Sequence, residues 1–265
     1  MVRPWLEAKQ ECLLFLSITF RIPEMLAERC PHLFSKVSEN LKLLNGGSVG
    51  IDIDAVTQAT FYLALNRVSH QLGKVIQKKE LITYWELANI AKKNGILEHE
   101  AMKFATGAWN SDDVYLNAPV MPGISTLLEF FNEIGIPHVF ISSRPMEFED
   151  TTDKWFEKTL PKEKIESIIL GRKEGTSGGE FKADMINKYR VALHIEDATE
   201  EAEIIVKKTN ACVLIVPQPW NEKERFEHPR IKYLQDYSKK EGSWPALYFL
   251  ASEEARDFLG SVAHS

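Results

Sequence analysis

The chain is poor in cysteine, with three in 265 residues: Cys12, Cys30 and Cys212. They are odd in number and far apart, and no CxxC or Cys/His cluster exists, so neither a disulfide framework nor a structural zinc site is indicated. Buried thiols in a reducing compartment are the expectation. Long apolar runs are missing too. The longest early one, Cys12 to Phe20, is closed by Arg21 and Pro23, well short of the roughly 20 residues a membrane span needs. The acidic residues before it do not resemble the basic leader of a signal peptide. A cytoplasmic protein without a membrane partner is expected. Excess positive charge is absent as well: 32 Lys and Arg against 38 Asp and Glu leave a net charge of −6. That balance argues against a nucleic-acid-binding surface. Neither an internal repeat nor a low-complexity tract is found. The apolar fraction of 44% suits one large globular domain, or one domain with a sizeable insertion.

What is present has two textures. Residues 1–45 read as helical, with breaks at Pro23 and Pro31. Leu33, Phe34, Val37, Leu41 and Leu44 recur at helix spacing, and Asn45-Gly46-Gly47 stops the pattern. From Ser48 onward come short β-branched runs: Val49 to Ile53, His138 to Ser142, Ile165 to Leu170, Val191 to Ile195 and Cys212 to Val216. They are apolar without strict alternation, as strands covered on both faces should be. Amphipathic stretches lie before the second run, at Ile124 to Ile134, and between the later ones, near 151–160, 182–189 and 200–208. Strands alternating with helices over short connections predict an α/β fold, a Rossmann-like three-layer arrangement around a parallel sheet. Between about 58 and 118 no strand run occurs. Phe61, Ala64, Leu65, Val68 and Leu72 share one helical face, followed by helical stretches at 82–91 and 99–109. A helical insertion directly after the first strand is the result, giving boundaries of 1–45, 46–57 with 119–265, and 58–118.

In open α/β sheets ligands bind beyond the carboxyl ends of the strands. The first strand runs into Asp52 and Asp54, the second into Ser142, Ser143 and Arg144, and the fourth into Glu196 and Asp197, while Lys182 opens the helix before that fourth strand. One sheet edge should therefore gather carboxylates, hydroxyls and an ammonium. A hard cation such as Mg²⁺ takes oxygen ligands of this kind together with substrate phosphate. Asp52 suits a nucleophile forming an aspartyl-phosphate, and Asp54, two residues on, a general acid and then base. Ser142 would bond a phosphoryl oxygen, with Ser143 as its neighbouring competitor. Lys182 would compensate charge, and Asp52, Asp54, Asp197 and Glu196 would form the metal site. Arg144 could contact the substrate phosphate or pair with Glu147 or Glu149.

The segments GIDIDAV, VFISSRP, the lysine of FKADMI and LHIEDAT resemble, in order, the four motifs of haloacid dehalogenase superfamily phosphatases. The resemblance spans about residues 48–220. The texts PVMPGISTLLEFFNEIGIPHVFISSRP, TTDKWFEK and VLIVPQPWN are most similar to the 5′(3′)-deoxyribonucleotidase-like branch. The resemblance implies that 58–118 is a cap, that Asp52 is the nucleophile and Asp54 the acid/base. Ser142 would be the second-motif hydroxyl, Lys182 the third-motif lysine and Asp197 the metal acid, with Glu196 acting more often through bound water. It further implies Mg²⁺ and a small phosphorylated substrate, a nucleotide first, with a homodimer left open. Two features depart from it. Ala55 stands where the family commonly has glycine, and residues 1–45 lie outside the pattern.

Other residues have plainer readings. The loop GRKEGTSGGE, 171–180, lacks P-loop spacing and reads as a flexible connection. Tyr84, Trp85 and Trp109 could stack on a base but suit the core of a small helical unit. His194 and Trp220 read as packing residues. A phosphatase of a sugar phosphate or other small phosphorylated metabolite, and a catalytically degenerate phospho-ligand-binding regulator hinted at by Ala55, are the competing functions.

Overall fold

The computed structural model describes residues 31–83, 85–160, 165, 167–235, 237 and 244–262. Cys12, Cys30, Tyr84 and the helical reading of residues 1–30 lie outside them. Among the described residues no helix is long and apolar enough to cross a membrane.

The chain enters through helix α1 (Pro31–Leu41) and a 3₁₀ turn ending at Leu44. Asn45 then takes a left-handed conformation, φ 50°, and stops it, as asparagine tolerates there. Strand β1 (Ser48–Ile51) follows. Helices α2 (Thr60–Gln71), α3 (Glu86–Lys93), α4 (Glu98–Trp109) and α5 (Asp112–Asn117) come before the chain returns through α6 (Ile124–Glu133) to β2 (His138–Ile141). The remainder alternates: α7 (Glu149–Thr159), β3 (Ile168–Ile169), α8 (Gly178–Lys188), β4 (Val191–Glu196), α9 (Thr199–Lys208), β5 (Cys212–Ile215) and β6 (Ile231–Tyr233). Two helices close it, α10 (Trp244–Leu250) and α11 (Glu253–Val262).

Among the described residues the sheet has six strands in the order β3-β2-β1-β4-β5-β6, and each of their pairings is parallel. The Rossmann-like α/β arrangement expected from the sequence is therefore present. β1 sits between β2 and β4, where the strand order reverses, and such switch points open a crevice at the carboxyl ends. Residues of β1, β2 and β5 are buried throughout, which is why their sequences do not alternate. Gly50 lets β4 come close, because a Cβ there would lie 2.5 Å from His194 Nδ1.

Two cores result. The larger joins Val37, Leu41 and Leu44 to the sheet and to Leu247, Phe249, Leu250 and Leu259. Residues 31–44 are thus packed into the α/β body, and Asn40 Nδ2 donates to the carbonyls of Leu250, at 2.8 Å, and Ser252, at 2.9 Å. Each such fully buried aliphatic side chain contributes about 1.5–3 kcal/mol. The second core belongs to the inserted helices: Phe61, Ala64, Leu65, Val68, Leu87, Ile90, Ala101 and Ala105 cluster with Ala55 and Trp220 from the α/β body. Trp109 packs partly buried against it, and Trp85 is about half exposed.

Several elements differ from the sequence expectation, α10 and α11 among them, which it did not name. β6 and α5 carry too few residues for a periodic signal. Helix α8 starts at Gly178, capped by Ser177, whose hydroxyl accepts from Glu180 N while the Glu180 carboxylate accepts from Ser177 N. This S-x-x-E capping box is the end of the loop read as a flexible connection. Lys182 consequently lies in the second turn of its helix and does not open it.

Candidate active site

The loop after β1 folds back on itself. Thr57 N and Gln58 N donate to the Ile53 carbonyl, Ala55 N donates to Gln58 O at 2.8 Å, and Thr57 Oγ1 donates to Asp52 O at 2.7 Å. This tight turn presents Asp52 and Asp54 at the switch point. It also drives Ala55 to φ 58°, a left-handed conformation that glycine adopts freely.

Lys182 is the centre of a buried charge cluster. Its Nζ lies 2.7 Å from Glu196 Oε2, 2.6 Å from Glu201 Oε2 and 2.9 Å from Asp52 Oδ1. The Glu196 contact is a hydrogen bond donated by Lys182, whereas those to Glu201 Oε2 and Asp52 Oδ1 are ion pairs. Lys173 and Lys188, the other lysines nearby, are exposed. Burial opposes the Lys182 charge, but Asp52, Glu196 and Glu201 outweigh it and hold the ammonium well above its ordinary pKa.

Three carboxylates compete for this one ammonium, and Glu196 wins. Burial raises its carboxyl, yet Lys182 and His194 bring the net shift well below the usual range. Its Oε1 also accepts from Asp197 N at 2.9 Å and Ala198 N at 3.1 Å. Asp52 is pushed well up, by burial first and by Glu196, Asp54 and Glu201 after it, against the pull of Lys182. Asp197 is pushed well up by burial, Glu196 and Asp52. Glu201 rises for the same leading reason, burial, only partly offset by Lys182. His194, buried under Glu196 with Nε2 at 3.3 Å, is shifted downward by burial and packs as expected.

One carboxylate oxygen from each of Asp52, Glu196 and Asp197 falls within 4.8 Å of the others. All-oxygen donors with uncompensated, desolvated negative charge fit a hard divalent cation. Both Glu196 oxygens already accept protein hydrogen bonds, so Asp52 and Asp197 have the freer oxygens. Asp54 does not join this group.

Asp54 instead pairs with Arg144, whose Nε is 2.9 Å from Oδ2 and Nη2 2.8 Å from Oδ1. Arg144 is buried, so it meets neither Glu147 nor Glu149, and its guanidinium is committed inside the protein. Nη1 donates to Thr152 Oγ1 at 3.0 Å, Nη2 also donates to Gln58 Oε1, and the group lies 3.9 Å above the Tyr115 ring. Burial would raise the Asp54 carboxyl, but the charge and hydrogen bonds of Arg144 bring it below the ordinary value. Ser142 is buried beside this pair, its Oγ 3.4 Å from Asp54 Oδ2. Ser143 is half-buried, and its carbonyl accepts from Arg172 Nε at 3.0 Å.

Sequence reasoning missed Glu201, Gln58, Tyr115 and Thr152. Glu201 lies in the first turn of α9 and meets Lys182 of α8 only through the packing of the two helices. The other three come from separate segments and carry no signal in the sequence.

No family model matches the chain, and no curated protein matches it. Among solved structures, CbbY from Rhodobacter sphaeroides in complex with phosphate is 14% identical with a TM-score of 0.50, covering 80% of this chain and 99% of that one. A haloacid dehalogenase-like family hydrolase from Streptococcus pneumoniae is 11% identical with a TM-score of 0.47, covering 64% of this chain and 84% of that one. One from Xanthomonas campestris is 10% identical with a TM-score of 0.46, covering 79% and 93%. At these identities the likeness is one of fold, and the chain shares with CbbY the α/β architecture on which the carboxylates converge.

Proposed function

We propose that this chain is a Mg²⁺-dependent phosphatase of the haloacid dehalogenase type that hydrolyses phosphate monoesters, nucleoside monophosphates foremost, through an aspartyl-phosphate on Asp52. The observation that carries this reading is Asp52 itself, buried at the end of the central strand with Lys182 Nζ 2.9 Å from Oδ1 and Asp197 within cation-sharing distance. The nucleotide preference is supported by the sequence resemblance of residues 48–220.

Asp52 attacks phosphorus as the ester oxygen leaves, and the leaving oxygen takes a proton from Asp54. Water then attacks the aspartyl-phosphate, gives its proton to Asp54, and phosphate departs. Lys182 keeps charge balanced beside the nucleophile, and Ser142 bonds a phosphoryl oxygen. Arg144 holds Asp54 ionised, the form that accepts a proton from water. Protonating Asp54 for the first step is favoured by the approach of a phosphate dianion, because like charge raises a carboxyl pKa. Asp52 and Asp197 would hold Mg²⁺, oriented by Glu196, and when bound the ion supplies positive charge to the phosphoryl oxygens. Residues 58–118, whose core is shared with Ala55 and Trp220 of the α/β body, would serve as the cap.

Purified protein is expected to release inorganic phosphate from nucleoside monophosphates with Mg²⁺ and to stop with a chelator. Asp52→Asn should lower turnover by about 10⁴-fold or more, the scale on which loss of a nucleophile acts. Full activity in that variant would sink the mechanism. Preference for sugar phosphates across a metabolite panel would overturn the nucleotide assignment alone. Binding of phosphorylated ligand without phosphate release would instead mark the protein as a regulator.

A further inference from the structure

Trp220, which the sequence presents as a packing residue, is buried at the 3₁₀ turn Pro219–Asn221 that follows β5. Its indole Nε1 donates to Asp197 Oδ2 at 2.9 Å. Its ring belongs to the core of the inserted helices and meets Phe61 edge-on, centroids 5.8 Å apart at 71°. The flanking side chains tie the same turn to the site. Asn221 Nδ2 donates to the carbonyls of Asp197, at 2.7 Å, and Val216, at 2.9 Å, and Gln218 Nε2 donates to Ala55 O at 2.9 Å. One short segment therefore touches the loop of Asp52 and Asp54, the backbone and side chain of Asp197, and the helical insertion.

We infer that Trp220 is a positioning residue for Asp197, its N–H fixing one carboxylate oxygen so that the other meets the cation, and its ring tying cation binding to the packing of the helical insertion. The inference rests on the metal-dependent reading above. A buried indole has one N–H and two apolar faces, so it can orient a carboxylate while standing in an apolar core. An aliphatic or phenyl side chain fills that core without orienting anything. Neighbours that orient a metal ligand typically carry 10–100-fold in affinity.

The test is Mg²⁺ binding by calorimetry to wild-type protein, Trp220→Phe and Phe61→Leu, with thermal unfolding measured alongside. Trp220→Phe keeps a buried ring and removes the donor, and is expected to bind Mg²⁺ about tenfold or more weakly. Phe61→Leu keeps the donor and loosens the ring, and a weakening smaller than that of Trp220→Phe is expected. Tryptophan emission should change on Mg²⁺ addition in the wild type and lose that change in Trp220→Phe. Wild-type Mg²⁺ affinity in a folded Trp220→Phe protein overturns the inference and leaves the phosphatase reading standing. Should Trp220→Phe not fold, unchanged affinity in Phe61→Leu overturns the link to the helical insertion. Absence of Mg²⁺ binding by the wild type removes the metal centre, and the inference with it.

Discussion

Arg144 grips Asp54 through two nitrogens, Nε to Oδ2 at 2.9 Å and Nη2 to Oδ1 at 2.8 Å, with its side chain buried and that of Asp54 about 29% exposed. The pair joins the loop after β1 to the loop after β2. It divides the cations of the site: Lys182 is shared by Glu196, Glu201 and Asp52, and Arg144 pairs with Asp54.

Arg144→Met leaves Asp54 without its partner. Breaking a buried pair typically costs about 3–5 kcal/mol, and solvent access at Asp54 puts the expected loss near the lower end. The Asp54 carboxyl is held low in the fold, so the pair stabilises above the unfolded pKa, about 4. That stabilisation is lost as pH falls through the lower folded value. Denaturant unfolding at pH 7 should show the full difference from wild type, and at pH 3 a smaller one.

Ala55 tests the cost of an alanine at φ 58°. Ala55→Gly relieves about 1–2 kcal/mol of left-handed strain. It also gives up about 0.8 kcal/mol for a buried methyl and 0.4–1 kcal/mol through the freer unfolded chain. These nearly cancel, so unfolding free energy within about 1 kcal/mol of wild type is expected. Ala55→Val keeps the positive φ with a branched side chain and should lose about 2 kcal/mol or more. Equal stability of the alanine and valine proteins would refute the conformational account.

Gly178 lies where a Cβ would stand 2.0 Å from Glu201 Oε1 and 3.1 Å from Ser143 Oγ. Gly178→Ala should therefore push the Glu201 carboxylate away from Lys182, because the far end of that side chain moves more easily than the backbone. Phosphate release is expected to fall several-fold while the melting temperature stays close to wild type. A crystal structure of the variant with Glu201 unmoved would refute this.

Cys212 is buried in β5, and burial pushes its thiol up to about 12. At pH 8 about one thiol in 10⁴ is then ionised, against roughly a quarter at the ordinary pKa of 8.5. Peptide mapping after brief alkylation should find Cys212 unmodified in native protein and modified in denaturant. Because the folded pKa is raised, the fold loses stability as pH rises from about 8.5 toward that value.

The sequence by itself determined the elements and the chemical inventory. Continuous apolar runs such as Val213-Leu214-Ile215 can be buried on both faces of a sheet and nowhere cheaper. The residues after Ile51, Ile141 and Ile195 had to emerge at the carboxyl edge because every strand points the same way. Asp52, Ser142 and Asp197 were legible for that reason, while Lys182 was read from its helix leading into β4. Tertiary structure alone decided the pairing. Arg144 could be assigned to Asp54 only once β2 lay beside β1. Glu201 joined Lys182 only because Gly178 and Gly179 let α8 and α9 approach closely. Trp220 reached Asp197 because β5 runs next to β4. Local sequence sets backbone preference and hydrophobic period over a few residues. Which charge neutralises which depends on ångström distances between segments as far apart in sequence as Asp54 and Arg144, 90 positions, and those exist only after the cores have packed.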